Sequence, residues 1–380
     1  MIYMDNSAGT RPYPEVVEII TEILTEHWGN ASADNSLGKD ALRIIDEVTQ
    51  QVADDISCSQ SEIVWTSGAC EANSMAIMGV LNANSHMHFY TTHLEHTSIN
   101  ELIENLTGHY VGFIRNDNEG FLDIMDLENK LQISHKAGAK ILVSVSAANS
   151  EIGVTQDLKE ISNVVHKYGG ILHVDATQAY PWYQMNVERL GIDLMSVSGQ
   201  KMHCVKGIGY LYVRSGIELK PVIYGSQQDG RRGGTLPTHL IAAFGKALEI
   251  TRQGTGGGIA YTRDYILKRL FNIDGVHLNG PVGGARLPNN ISLTIDGVRA
   301  DTLVSMCDLM GVIIAKGSAC KSYEPKPSET LIAIGLTEED ALNTIRISID
   351  ETLSHETDFA IDIITKLIKR IRGEDEDKTT

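Results

Sequence analysis

No apolar run approaches the ~20 residues that a membrane-crossing helix needs. The opening "MIYMDNSAGTRPYPEVV" also lacks a basic stretch followed by a secretory apolar one, so a cytoplasmic location away from membranes is expected. Cysteine is scarce. Cys58, Cys70, Cys204, Cys307 and Cys320 are odd in number and scattered, which argues against a disulfide framework and leaves no pairs spaced for a metal site. Positive charge is short too, with 32 Lys and Arg against 49 Asp and Glu and a formal net charge of -17. That balance disfavours direct binding to nucleic acid or an anionic membrane and suits a basic protein partner.

What is present is core-forming material. A chain of 380 residues that is 42% hydrophobic is neither a mini-protein nor disordered, and it has the length for a large domain plus a smaller one. Helical apolar spacing in "YPEVVEIITEILTEHW" follows a proline and carries acidic residues near its start, as a helix N-terminus favours. From about residue 60 to 215, short strand-like runs ("EIVWTS", "HMHFYTT", "HYVGFI", "KILVSVSA", "GILHVDA", "DLMSVS", "GIGYLYV") alternate with helical segments such as "DLKEISNVVHKYG". The rhythm predicts an α/β domain with a largely parallel, buried sheet. Beyond Gly230 a long helical segment is interrupted by a glycine-rich break near Gly254 to Gly258. Strands "NNISLTI", "GVIIA" and "TIRISI" and a last helix "HETDFAIDIITKLIKRIRG" follow.

Three places within this pattern invite chemistry. In "IVWTSGACEANSMAI" a strand runs through small residues into a helix, leaving the N–H groups of Ala69, Cys70 and Glu71 free for a phosphate or simply making a turn. Asp175 closes the strand of "GGILHVDATQAY", where open sheets bind ligands. It suits either the protonated ring nitrogen of a pyridine cofactor or the cap of a following helix. Lys201, in "LMSVSGQKMHCVKGIGYLYV", follows the next strand. Alone it reads as a solvated loop lysine, but phosphate seat, strand-end aspartate and strand-end lysine together are what a pyridoxal phosphate enzyme requires.

The ordered segments "YMDNSAGTRP", "WGNASADNSLGKDA", "TSGACEANSMAI", "LEHTSI", "NSEIGVTQDL", "HVDATQA", "SGQKMHCVKGIGYLYV", "GRRGGTLPTH", "AKGSACKS" and "TIRISID" resemble the NifS/IscS-type cysteine desulfurases, class V aminotransferases of the pyridoxal phosphate fold type I. The resemblance spans nearly the whole chain. It implies a large domain with a mostly parallel mixed sheet over residues 15–253 and a smaller α/β domain over 254–372. An N-terminal segment, 1–14, packs with the small domain, a catalytic-cysteine loop occupies about 316–328, and an acidic tail at 373–380 is disordered. It further implies that pyridoxal 5'-phosphate joins Lys201, which then moves protons, and that His96 stacks on the ring. Asp175 faces the ring nitrogen and Gln178 the phenolic oxygen. Ala69, Cys70, Ser198 and Gln200 hold the phosphate, with Thr235 reaching it from the second subunit of a homodimer. Asn30 and Arg346 match positions that take the carboxylate of L-cysteine, and a guanidinium fork suits that task. Cys320 matches the thiol that leaves with the substrate sulfur as a persulfide for an acceptor protein: an iron–sulfur scaffold, a tRNA-thiolating enzyme, or the machinery that puts sulfur into DNA backbones. Its neighbours Lys316 and Lys321 favour a thiolate.

Alternatives within the same fold are a selenocysteine or cysteine-sulfinate lyase or an aminotransferase. A cofactor-poor, non-catalytic paralogue is a third. The chain departs from the pattern where relatives carry threonine (Cys70), asparagine (Ser150), histidine (Gln200), Gly-Pro (Cys204 and Val205) and arginine (Asp229). A thiol donates a poorer hydrogen bond than a hydroxyl, so weaker cofactor retention is expected, unless a register shift lets Asn149 compensate for Ser150.

Overall fold

A computed structural model describes residues 1–254, 257–317, 326–350 and 355–374. Its strands are β1 (Ile2–Tyr3), β2 (Ile63–Thr66), β3 (Met87–Thr91), β4 (Tyr110–Phe113), β5 (Lys140–Ser146), β6 (Ile171–Asp175), β7 (Leu194–Ser198), β8 (Gly209–Val213), β9 (Val276–Leu278), β10 (Asn290–Ile295), β11 (Val312–Ile313), β12 (Ala315–Lys316) and β13 (Thr344–Ser348).

The seven apolar runs between residues 60 and 215 each form a strand of one sheet, in the order β2-β8-β7-β6-β5-β3-β4. Only β8 runs against its neighbours, and all other pairings are parallel. Every residue of β2, β7 and β8 is buried, which is why these strands read as continuous apolar stretches rather than alternating ones. Helices cover both faces. In Leu158–Lys167 the buried residues Leu158, Ile161, Ser162 and Val165 recur at helical spacing, and Asp157 caps the N-terminus by accepting from Glu160 N–H at 2.9 Å. Helix Pro14–Glu26 begins at a proline, as its sequence predicts, and packs on Thr238–Gln253.

A second core lies behind the antiparallel sheet β12-β13-β10-β9, covered by Gly257–Leu270, Ala300–Leu309 and His355–Arg372. Strand β1 pairs with β11 at its side, and Met4 enters this core. The run "GVIIA" does not form the single strand expected. Val312–Ile313 pairs with β1, and Ala315–Lys316 pairs with β13, with Ile314 buried between them. The edge strand β9 escaped the sequence reading because three partly exposed residues carry no periodic signal.

Candidate active site

Register aligns Ser146 and Asp175, the last residues of β5 and β6, with Ser196 at the middle of β7. A cavity of about 620 Å³ opens there, between the large sheet and β13. It is lined by Ala69, Cys70, His96, Asp175, Gln178, Ser198, Gln200, Lys201 and Arg346, among others. Nine of the predicted residues therefore meet at one place.

Lys201 sits in the short 3-10 turn that follows β7, and its Nζ donates to the carbonyls of Ser7 (2.6 Å) and Ala8 (2.9 Å). Burial, helped by the nearby Arg346 guanidinium, pushes its amine down to about 8. About a tenth of it is then neutral at pH 7, against well under a thousandth for a free lysine. An amine in that state is a nucleophile and a proton carrier.

Asp175 accepts from Thr177 N–H (3.0 Å) on one oxygen and from Asn73 Nδ2 (2.8 Å) on the other. Beneath it on the same strand face, burial pushes the His173 imidazole below its ordinary range, and it bridges Ser144 (2.8 Å) and Ser196 (2.9 Å). The strand-end carboxylate is thus the negative charge of this row. Across the cavity, helix Ala69–Ala83 starts at Gly68, whose φ of 146° and lack of a side-chain cap leave the first-turn N–H groups toward the opening. A Cβ on Gly209 would lie 2.8 Å from the Gly68 Cα, so the glycine in "GIGY" lets β8 approach this turn. Arg232 grips Glu71 in this first turn, at 2.6 and 3.2 Å; although burial raises the carboxyl, Arg232 and the Ser67 N–H bring it below the usual range.

On the opposite wall Arg346 donates to Asp5 Oδ1 (2.7 Å) and to the Ser150 carbonyl (3.4 Å), while its buried Nε has no partner among the described residues. Buried Ser7 Oγ and Thr177 Oγ1 at the cavity are likewise unpartnered among the described residues. Such groups are costly to bury unless something polar arrives to meet them. Amine, carboxylate, open helix start and unpartnered donors together fit pyridoxal phosphate: Lys201 for its aldehyde, Asp175 for its ring nitrogen, and the Gly68 turn with Ser198 and Gln200 for its phosphate.

Two carboxyls in the wall went unnoticed in the sequence. Glu95 is wholly buried and accepts from Thr92 Oγ1 (2.7 Å) and Ser146 Oγ (2.6 Å); burial, with Asp175 adding to it, pushes its carboxyl up to about 7. Glu151 accepts from Ser328 Oγ and is likewise raised by burial to about 7, against the pull of Ser328 and Arg346. A carboxyl raised by folding makes stability fall as pH climbs from about 4.5 to about 7. Glu95→Gln is therefore expected to match the wild type in urea unfolding at pH 4 and to exceed it by about 3 kcal/mol at pH 8. An equal difference at both pH values would show that Glu95 does not titrate in this interval.

Not every predicted residue arrives. Asn30 is exposed, its Oδ1 accepting from Ser32 N–H, and Thr235 is exposed after the glycines of "GRRGGT"; neither lines the cavity of its own chain. Asn149 does not compensate for Ser150. Its amide is consumed by the Leu94 carbonyl and its oxygen by the N–H groups of Glu151 and Ile152. Burial pushes the thiols of Cys58, Cys204 and Cys307 up to about 12, which suits filler rather than nucleophiles. Cys320, Lys321 and most of the tail lie outside the described residues. Asn73, Glu95, Asp5 and the Ser7 and Ala8 carbonyls were missed, because each acts through a partner far away in the sequence.

Comparison with known proteins follows the same lines. The model of the aminotransferase class-V family matches residues 2–357. A protein of Archaeoglobus fulgidus described as "Cysteine desulfurase IscS 1" is 35% identical over 98% of this chain and 98% of its own length. A solved structure described as a "NifS-like protein" superposes with a TM-score of 0.88 at 27% identity, covering 98% of this chain and 99% of that one. Another, described as "SspA in complex with cysteine", gives 0.81 at 28% identity over 93% of this chain and 100% of that one.

Proposed function

The chain belongs to the class V aminotransferase family and, within it, to the cysteine desulfurases, and from that premise we propose how its own residues convert L-cysteine to L-alanine. The convergence of a desolvated lysine amine, a strand-end carboxylate and a buried guanidinium on one cavity carries this reading. Bound pyridoxal phosphate supplies an electron sink for charge developing beside the substrate's amino group. Arg346 orients the substrate carboxylate, exchanging part of its pairing with Asp5 for the incoming anion. Lys201 Nζ takes up and returns the proton at the substrate's reacting carbons. Asp175 would hold the protonated ring nitrogen, and His96 would lie against the ring.

Sulfur leaves by attack of the Cys320 thiolate. The substrate's C–S bond breaks, an S–S bond forms on Cys320, and a proton replaces sulfur on the carbon that becomes the alanine methyl. The resulting persulfide is then passed to an acceptor protein. Asn30 and Thr235 serve the site from their places outside this chain's cavity, Thr235 by reaching the phosphate of a second copy. Among the described residues no helix is long and apolar enough to cross a membrane, which fits a cytoplasmic enzyme. Alanine release from L-cysteine by the wild type, compared with Cys320→Ala, tests this function.

Cys70 at the helix start and the occupied Asn149 leave the cofactor less firmly held than a threonine and a free asparagine would. One hydroxyl donor to an anion is worth about 1.5–3 kcal/mol, so Cys70→Thr should slow cofactor loss on dialysis about tenfold or more. Equal, dialysis-resistant occupancy in both proteins would contradict this.

A further inference from the structure

We propose that Asn73 and Ser98 are positioning residues that transmit the orientation of Asp175 to His96 and fix its imidazole as the tautomer with the proton on Nε2. The geometry is a directed chain of hydrogen bonds. The Asn73 side chain is fully buried; its Nδ2 reaches Asp175 Oδ2 at 2.8 Å and Ser98 Oγ at 3.1 Å. Ser98 Oγ lies 2.8 Å from His96 Nδ1, and Ser98 N–H lies 3.1 Å from the same nitrogen.

Only one assignment of protons satisfies all four contacts. Turning the Asn73 amide over would set its carbonyl oxygen against the Asp175 carboxylate, two acceptors face to face. The amide nitrogen therefore faces Asp175, even though this leaves Asn73 Oδ1 buried without a partner among the described residues. Its second hydrogen is spent on Ser98 Oγ, so the serine's own proton is left to donate onward to His96 Nδ1. The backbone N–H of Ser98 donates to that nitrogen as well, as the cap of helix Thr97–Glu104. A ring nitrogen that accepts two donors carries no proton. The proton of neutral His96 then resides on Nε2, the nitrogen left to the cavity that His96 lines.

His96 thereby enters the cavity as a hydrogen-bond donor, not as a proton acceptor. The negative charge at Asp175 and the donor at His96 are set together through one amide, about as far apart as two side chains bridge. This deepens the desulfurase reading and rests on it only for what His96 does to the reaction; the proton's position is measurable without turnover.

Holoenzyme carrying 15N-labelled histidine, with His96→Gln to identify the resonances, reports the tautomer at a pH about two units above the ordinary imidazole value of about 6.5. The wild type should show Nδ1 unprotonated and Nε2 protonated. Ser98→Ala and Asn73→Ala should shift the tautomer ratio at least about threefold. Ser98→Ala should also lower kcat about three- to tenfold with KM within about twofold, and Ser98→Thr, which keeps the hydroxyl, should restore it. A protonated Nδ1 in the wild type would overturn the proposal. So would a tautomer ratio unchanged in both alanine variants. An enzyme that releases no alanine, yet shows the expected resonances, would instead fail the functional reading while leaving this inference standing.

Discussion

Lys201→Ala is expected to lower alanine formation from L-cysteine by at least about 10³-fold, the scale of losing a positioned proton-transfer group together with the site of covalent attachment. The amine is buried, held by the Ser7 and Ala8 carbonyls, and brought to about 8 by burial and by Arg346. Lys201→Arg should not rescue it, because a guanidinium keeps its proton throughout the working range. Borohydride reduction followed by mass spectrometry checks the same claim without turnover. The wild type should gain the cofactor's mass at residue 201, and the alanine variant should gain none. More than about a tenth of wild-type activity in Lys201→Ala would remove the lysine from the chemistry.

Arg346→Gln should raise KM for L-cysteine about 10- to 100-fold and change kcat less, since a charge-assisted hydrogen bond to a carboxylate contributes about 1.5–3 kcal/mol to ground and transition state alike. A second consequence follows from the neighbourhood of the two cations. Burial lowers the Lys201 amine first and Arg346 adds to it, so removing Arg346 lets the amine rise above about 8. The rising limb of the pH profile, where Lys201 becomes neutral, should then move to higher pH. Arg346→Lys keeps a charge without the fork and should recover part of the KM but leave the limb closer to its original place. A variant with unchanged KM would mean that another group takes the substrate carboxylate.

The layout of the large sheet was legible because its strands are buried on both sides, so that "KILVSVS" and "GYLYV" announce themselves as unbroken apolar runs. Asp175 and Lys201 were legible because each follows such a run, and strand ends are where these sheets bind. Asn73 was not. It sits one turn into a helix whose sequence is that of any small-residue helix, and its meaning comes from Asp175, 102 positions away. Glu95 sits beside a residue that was recognised, yet nothing in "LEHTSI" says that the carboxyl turns inward to Ser146 rather than out to water. The split of "GVIIA" between two sheets is equally tertiary. Two residues of pairing on each side of Ile314 are too short to leave a pattern, and their partners, β1 and β13, lie far apart in the chain.

Alanine release from L-cysteine, with pyridoxal phosphate and a thiol reductant supplied and the wild type compared with Cys320→Ala, tests the central claim most directly. The account predicts alanine from the wild type and a loss of at least about 10²-fold in the variant, because sulfur then has no thiolate to receive it. Alanine at equal rates from both proteins would contradict persulfide transfer to Cys320 and leave a direct lyase in its place.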